Sequence, residues 1–382
     1  MSAELDYKDF VHTAPGTLAG RYLRTFWQPV YCSHELPPGR AVPIRIMDED
    51  FTLYRGGERG TPHLVGFRCP HRGTQLSLGW VEGDCIRCFY HGWKYDGSGQ
   101  CIEQPAEPKP FANKIRIPSY PVQEHIGLIF AYLGEGEPPP FTRYPKLADP
   151  DIVLDVVRWN RICNYFNNID NSLDNAHVRF VHKRHRETAR DQIVKGDPRI
   201  TVEETDWGIK RNVSYPNGAE VVAFFGMPNI NYVNGQVVDS DIKRADVILF
   251  KVPVDDENHI HFEVRAIPLK GDYARRWLEG RRQKRTMEAS SRAELVKAVL
   301  SGKLQLSDID PNRTDYVIIE DEIAQTGQGK IADRRREHLG LSDAGVILLR
   351  KIWERELQAL AEGQPLKQWT YRQDMIPVYP NL

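Results

Sequence analysis

Two short stretches carry residue types that bind metals. Cys69 stands two positions before His71 in "CPH", and Cys88 stands three before His91 in "CFYH", with sixteen residues between the two groups. Structural zinc sites usually pair like with like, a Cys-x2-4-Cys knuckle followed by a His-x3-5-His turn. Each half here is mixed, which fits zinc less well than a cluster of two irons in different ligand fields. Both thiolates then hold one iron and both imidazoles the other, and the imidazoles raise the reduction potential above that of an all-thiolate cluster. Pro70, Gly73, Gly92 and the Gly97/Gly99 pair let two tight loops approach each other and aim backbone N–H groups at bridging sulfides. Cys85 lies nearby at the wrong spacing and reads as a small buried thiol.

Such a cluster moves single electrons, so a chain of 382 residues should hold something that consumes them. "DNAHVRFVHKRH" supplies Asp174, His177 and His182, with His185 as a rival. Two histidines five apart are turned by about 500°, roughly 140° past a full turn, and do not share a face of an ideal helix. They reach one metal only if the helix ends or bulges between them. Two neutral imidazoles and one carboxylate leave positions on Fe(II) open for dioxygen. Asp174, one turn before His177, is placed to hydrogen-bond a ligand imidazole. A surface helix with scattered histidines would give the same text.

The first group resembles the Rieske signature C-x-H-x(15–17)-C-x2-H. Together the two groups resemble the Rieske non-haem iron oxygenases, in the phthalate-dioxygenase-like branch, over nearly the whole chain. That family's D-x2-H-x4-H motif matches Asp174, His177 and His182 and does not select His185. The resemblance implies a third ligand in "IIEDEIAQTGQGKIADRRREHLGLSDAGV", where the matching acid is Asp321, with Glu320, Glu322 and Asp333 as neighbours. It further implies one Rieske 2Fe-2S cluster on Cys69, His71, Cys88 and His91, and one mononuclear Fe(II) on His177, His182 and Asp321. Asp174 would bridge an iron-site histidine to a cluster histidine of the next subunit in a head-to-tail ring, a homotrimer or a multiple of it. The implied activity is that of a terminal oxygenase, hydroxylating a small polar aromatic substrate, often a carboxylate, with O2; the alternative is oxidative O- or N-demethylation. No GxGxxG follows a strand and no flavin or plant-type ferredoxin pattern is present, so electrons are expected from a separate NAD(P)H-dependent reductase, with or without a ferredoxin.

The elements that must position these residues fall into two parts. Up to about residue 133, short alternating runs such as "AVPIRIM", "FTLYR" and "GLIFAYL" are broken by Gly, Pro and Asp, the pattern of a small all-β domain. "GEGEPPPFTRYPKLADPD" (134–151) admits no regular element and separates the parts, giving an all-β domain over 1–140 and a second domain over 141–382. In the second, "NNIDNSLDNAHVRFVH" has helical potential, while "EVVAFFGM", "DVILFKVPV" and "HIHFEVRAIPL" alternate as strands, the last with Ile260, Phe262 and Val264 on one face. The expected class is α+β, an antiparallel sheet with helices at its side. Ser291 and Glu294 suggest a capping box for a short helix ending near Gly302. A last helix spans about 342–363, with Val346, Leu349, Trp353, Leu357 and Leu360 on its apolar stripe.

Other stretches bear two readings. The six Lys/Arg of "ARRWLEGRRQKR" (274–285) suit an acidic redox partner or, more ordinarily, a solvated helix face. Phe224, Phe225, Met227, Asn231 and Tyr232 have the make-up of a small-molecule pocket and equally of a strand facing the core. The formal net charge of −1 gives no electrostatic case for nucleic acid or anionic membrane. "MSAELDYKDF" lacks the regions of a signal peptide and no run is long enough to span a membrane, so the expected compartment is cytoplasmic. Six cysteines, two of them given to a cluster, fit a reducing compartment better than a disulfide framework.

Overall fold

The computed structural model describes residues 6–57, 59–144, 147, 152–182, 199–216, 218, 220–236 and 245–370. After helix α1 (Leu18–Arg24), the amino-terminal part consists of strands with three single-turn 3-10 helices between them: β1 (Trp27–Cys32), β2 (Ala41–Ile46), β3 (Glu49–Arg55), β4 (Pro62–Gly66), β5 (Trp80–Glu82), β6 (Cys85–Arg87), β7 (Lys94–Tyr95), β8 (Cys101–Glu103), β9 (Ser119–Tyr120), β10 (Val122–His125) and β11 (Leu128–Tyr132). They form three small sheets, β1-β11-β10, β2-β3-β4-β9 and β5-β6-β7-β8. The last is a meander whose turns and entry loop carry the Cys–His pairs.

The second part is one antiparallel sheet of seven strands with helices against it. The strands are β12 (Val153–Arg161), β13 (Arg199–Glu204), β14 (Gly208–Ser214), β15 (Glu220–Gly226), β16 (Ile230–Gln236), β17 (Ala245–Pro253) and β18 (His259–Ile267), in the order β12-β18-β17-β16-β15-β14-β13. The helices are α2 (Tyr165–Leu173), α3 (His177–Phe180), α4 (Gly271–Leu300), α5 (Tyr316–Gly327) and α6 (Ala344–Ala361). The expected α+β class is the one observed. None of the helices among the described residues is long and apolar enough to cross a membrane.

The expected apolar stripe of α6 is buried except at its end, where Leu360 is half-buried, and Trp353 on it is completely enclosed. Its indole meets Tyr22 of α1 and Phe166 of α2 edge-on, with ring centroids 5.0 and 5.3 Å away, and Phe10 stacks on Phe166 at 4.9 Å. The start of α6 also touches the end of α2. A Cβ on Gly345 would come within 2.7 Å of the Leu173 carbonyl oxygen, so this approach requires glycine. Asp170, in the last turn of α2, accepts from Arg350 at 2.7 Å and Arg334 at 3.0 Å. These contacts fix where α2 stops, directly before Asp174.

The two parts share one apolar core. Phe130 of β11 meets Phe250 of β17 edge-on at 5.6 Å. The β2–β3 hairpin turns on Met47 and Asp48, both at positive φ (50° and 63°), and their N–H groups donate to the carbonyls of Pro253 and Val254, each at 2.8 Å.

Two expectations need correction. Ser291 caps nothing: it lies inside α4, a single helix of 30 residues, and its hydroxyl donates to the Glu288 carbonyl. The helix starts at Gly271 because "DYARRWLEGRRQKRTMEA" is almost entirely helix-favouring, leaving no place to start anew at Ser291. Nor is its basic run merely solvated. Arg281 and Arg285 converge on the completely buried Asp155 of β12 at 3.1 Å each, and Arg292 lies over the ring of Trp159. Burial pushes the Asp155 carboxyl up, and Arg285 with its fellow guanidiniums outweighs that and holds it below the usual range.

Replacing Trp353 with Ala is expected to cost about 3–5 kcal/mol, the usual range for a large aromatic lost from a core. Denaturant unfolding would check this, with the midpoint falling sharply.

Candidate metal centres

The two Cys–His loops are built alike. In each, the Cys carbonyl accepts from the glycine four residues on, Gly73 to Cys69 at 2.9 Å and Gly92 to Cys88 at 3.0 Å. In each, the Cys N–H donates to the carbonyl one residue further, Cys69 to Thr74 at 2.8 Å and Cys88 to Trp93 at 2.9 Å. Both glycines sit at positive φ, 76° and 75°, which closes the turn at little steric cost. The thiols of Cys69 and Cys88 are buried while both imidazoles are partly exposed, so the sulfur end points inward. The rings of His71 and His91 lie 4.4 Å apart, and His71 stacks on Trp93 at 4.6 Å. Tyr95 OH is 3.2 Å from Cys69 Sγ. Burial, joined by Cys88, pushes the Cys69 thiol up against the opposing pull of this hydroxyl; a metal ion is the natural means of deprotonating it. The paired soft sulfurs and paired imidazoles, with the Nδ1 of His71 buried and unpartnered, fit a two-iron cluster. Cys85, expected to be buried, is half-buried on β6.

In the second part, the helix ends between Leu173 and His177. Asp174 adopts an extended conformation, and its Oδ1 accepts from the N–H groups of Ala176 at 2.7 Å and His177 at 3.2 Å. This local bonding by an Asp side chain competes with helix continuation and starts the short α3 on a new axis. That helix stops at Phe180, and His182 follows beyond its end. The two rings therefore meet, with centroids 5.5 Å apart.

Asp321 on α5 closes the group. Its Oδ1 lies 3.2 Å from Nε2 of His182 and 3.8 Å from Nε2 of His177, and one ligand atom from each of the three falls within 4.8 Å of the others. That oxygen is buried with no well-aligned hydrogen-bond partner, as expected of an atom directed at a cation. Burial pushes the Asp321 carboxyl up, but His182, Arg161 and His177 hold it below the ordinary range. Two imidazoles and one carboxylate, with no fourth acid or histidine in the group among the described residues, fit a divalent iron with open positions.

The flanking acids divide. Glu320, named from sequence only as a neighbour of Asp321, is completely buried and its Oε2 is 2.8 Å from Nδ1 of His182. The ring is thus held at both nitrogens, the arrangement that fixes tautomer and orientation of a metal-binding histidine. Burial would lower this imidazole, yet Asp321 and Glu320 push it up to about 9, a field that favours any cation at Nε2. Asp174 Oδ2 lies 3.5 Å from Nδ1 of His177, near it but without the close hydrogen bond that Glu320 makes to His182. Asp333 is remote from this chemistry, an exposed acid bonded to Arg335. Glu322 faces Arg292 instead. His185 lies outside the described residues. Of the suggested pocket residues, Met227 and Tyr232 belong to the core and Phe224 packs against it, whereas Phe225, also buried, pairs with Asn231 on the face that carries the polar groups.

A cluster domain feeding a two-histidine, one-carboxylate site is the plan of an iron-dependent oxygenase with two metal centres. Comparison with known proteins bears this out. Residues 26–121 match the family model of the Rieske [2Fe-2S] domain. Phenoxybenzoate dioxygenase subunit alpha of Ectopseudomonas oleovorans is 30% identical over 92% of this chain and 84% of its own length. The oxygenase subunit of 5,5'-dehydrodivanillate O-demethylase of Sphingobium sp. is 28% identical over 96% of this chain and 83% of its own. In fold, the structure resembles Pseudomonas putida CBB5 NdmB, with a TM-score of 0.65 at 20% identity over 89% of this chain and 93% of that one. The chain belongs to the Rieske-type non-haem iron oxygenases, as a terminal oxygenase subunit. It is an oxidoreductase whose cofactors are a 2Fe-2S cluster and a mononuclear iron, and subunits of this type receive electrons from a reductase or ferredoxin.

Asp321→Ala is expected to abolish mononuclear iron binding while the cluster's absorbance remains. Glu320→Gln should keep the iron but weaken its retention against a chelator by about 10- to 100-fold, the usual effect of losing a histidine's orienting partner; metal analysis after graded chelation reads both.

Proposed function

We propose that this subunit hydroxylates a polar aromatic substrate, an aromatic carboxylate, with O2 and electrons from an NAD(P)H-dependent reductase, directly or through a ferredoxin. The observation that carries the reading is the convergence of His177, His182 and Asp321 within 4.8 Å in a chain that also holds the paired Cys–His loops. Cys69 and Cys88 would hold one cluster iron, His71 and His91 the other, and His177, His182 and Asp321 the mononuclear iron. When bound, that iron supplies the activation of dioxygen next to the substrate. Asp174 stands beside His177 and, in an assembled ring, would lie between the iron site and a cluster histidine of the next subunit. Glu320 holds His182 in one tautomer. The substrate class draws support from the relatives, since 3-chlorobenzoate-3,4-dioxygenase and phthalate 4,5-dioxygenase oxygenase subunits also stand among them.

The functional unit in this reading is a head-to-tail homotrimer or a multiple of it. Asp174 keeps more than a quarter of its side chain accessible, with the exposed Phe180 nearby. Phe89 and Tyr90, beside the cluster histidine His91, are about half exposed. Apolar groups displayed at both ends of the electron path support burial against a neighbouring subunit. The division between the two parts, 1–140 and 141–382, is likewise our assignment.

A second reading, O-demethylation, rests on the dehydrodivanillate relative and places a methoxy group nearest the iron. Product analysis under 18O2 separates them. Label in a ring hydroxyl supports hydroxylation, and formaldehyde with an unlabelled phenol supports demethylation; turnover of neither aromatic acids nor their methoxy derivatives would remove the aromatic-acid reading. For Asp174→Asn we expect both metals at full occupancy and turnover reduced by several orders of magnitude. Wild-type turnover in that variant would exclude the bridging role.

A further inference from the structure

Cross-strand pairing shows which residues of the large sheet look toward the iron-site helices. Lys251 pairs with His261 of β18, and α2 covers that face, Asn168 Nδ2 lying 2.9 Å from His259 and 3.1 Å from His261. Ile209, Phe225, Asn231 and Leu249 form one row across four strands; Arg211 and Lys251 each stand two residues from it on opposite sides, because β14 and β17 run antiparallel, and Lys251 nonetheless lies within the field of Arg211. Side chains alternate along a strand, so both cations lie on the same face.

They are deeply enclosed, with 6% of Arg211 and 1% of Lys251 exposed. Among the described residues, neither Nζ of Lys251 nor Nε and Nη1 of Arg211 meets a hydrogen-bond partner. The acids nearby are committed elsewhere: Glu263 pairs with Arg265, Glu320 and Asp321 hold His182, and Asp174 bonds the backbone of α3. Both cations also feel the iron-site acids, Lys251 that of Asp321 and Arg211 that of Asp174, which puts them on the metal's side of the sheet. Buried charges are ordinarily paired, and two unpaired ones of the same sign beside one site call for an anion that arrives with the ligand. Burial holds Lys251 well below the ordinary lysine range and Arg211 at about 10, a bias that an incoming anion would reverse.

We infer that Arg211 and Lys251 form the anion clamp of the substrate pocket, binding the carboxylate of an aromatic acid from the sheet while its ring faces His177, His182 and Asp321. The planar guanidinium presents paired donors to a carboxylate, and the ammonium adds a point charge. This rests on the reading of the chain as an aromatic-acid oxygenase.

The test uses the holoenzyme with both iron centres loaded. Binding of phthalate, 3-chlorobenzoate and benzoate, and of the neutral 3-chlorobenzamide, is measured by calorimetry and by shift in melting temperature for the wild type, Lys251→Met, Arg211→Met and the conservative Lys251→Arg and Arg211→Lys. We expect each methionine variant to weaken acid binding at least about 30-fold, as on breaking a buried charge pair, with amide binding unchanged and partial rescue by the conservative variants. Without ligand, Lys251→Met should melt no lower than wild type, because it removes an unpaired buried charge. Acid binding equal in variants and wild type, failure of the wild type to bind any of the acids, or a sharp fall in the melting temperature of Lys251→Met would each overturn the clamp. Product analysis on the same samples keeps the two readings apart. Acids that bind through the clamp without being oxidised would sink the oxygenation of aromatic acids alone, and acids oxidised by variants that bind them normally would sink the clamp alone.

Discussion

His177 and His182 face one point because α2 stops at Leu173, so that the short α3 carries His177 on a new axis and ends at Phe180 before His182, and much of the catalytic half serves the first of these breaks. Asp174 supplies the local cause by drawing the N–H groups of Ala176 and His177 to its own side chain. Tertiary contacts then hold the break in place. Gly345 lets α6 press against the Leu173 carbonyl, and Arg334 with Arg350 grips Asp170 one turn earlier. A continuous helix would keep the two imidazoles about 140° apart. The carboxylates follow the same logic, since neighbouring positions on α5 point Asp321 and Glu320 at opposite nitrogens of one ring.

The seven-stranded sheet has unlike faces. One is apolar and joins the amino-terminal part through Phe250, Phe262 and Val264. The other carries His259, His261, Glu263, Arg161, Arg211 and Lys251, buried nonetheless beneath the helices. Such a face is expensive in a fold built for stability alone, because each group needs a partner or a desolvated existence. Its concentration beside the iron ligands is what a binding pocket requires. The long α4 closes the far end of this layer, its arginines neutralising Asp155.

Much of this was legible in the sequence because the relevant signals are local. Cys–His spacing, alternation in the small strands, the proline-rich break and the stripe of α6 each lie within about twenty residues. Asp321 came from family resemblance rather than spacing, as 138 residues separate His182 from its other carboxylate partner, Glu320. The role of Glu320 was hidden because two adjacent acids look alike until the helix is oriented. Lys251 left a trace, a lone charge in the apolar run "DVILFKVPV", but the face it occupies depends on pairing with strands far away in the chain. Ser291 misled because a capping motif inside a favourable helix has nothing to terminate.

The hairpin tip at Met47 and Asp48 bears on how these proteins can be recombined. Two consecutive residues other than glycine at positive φ make an unfavourable turn by themselves. Here the turn is held by hydrogen bonds to Pro253 and Val254 on the opposite side of the seam, next to the contact of Phe130 with Phe250. The electron-delivering half is therefore not a cartridge that clips onto any catalytic half. A chimera made by exchanging it between relatives would have to bring along the complementary end of β17.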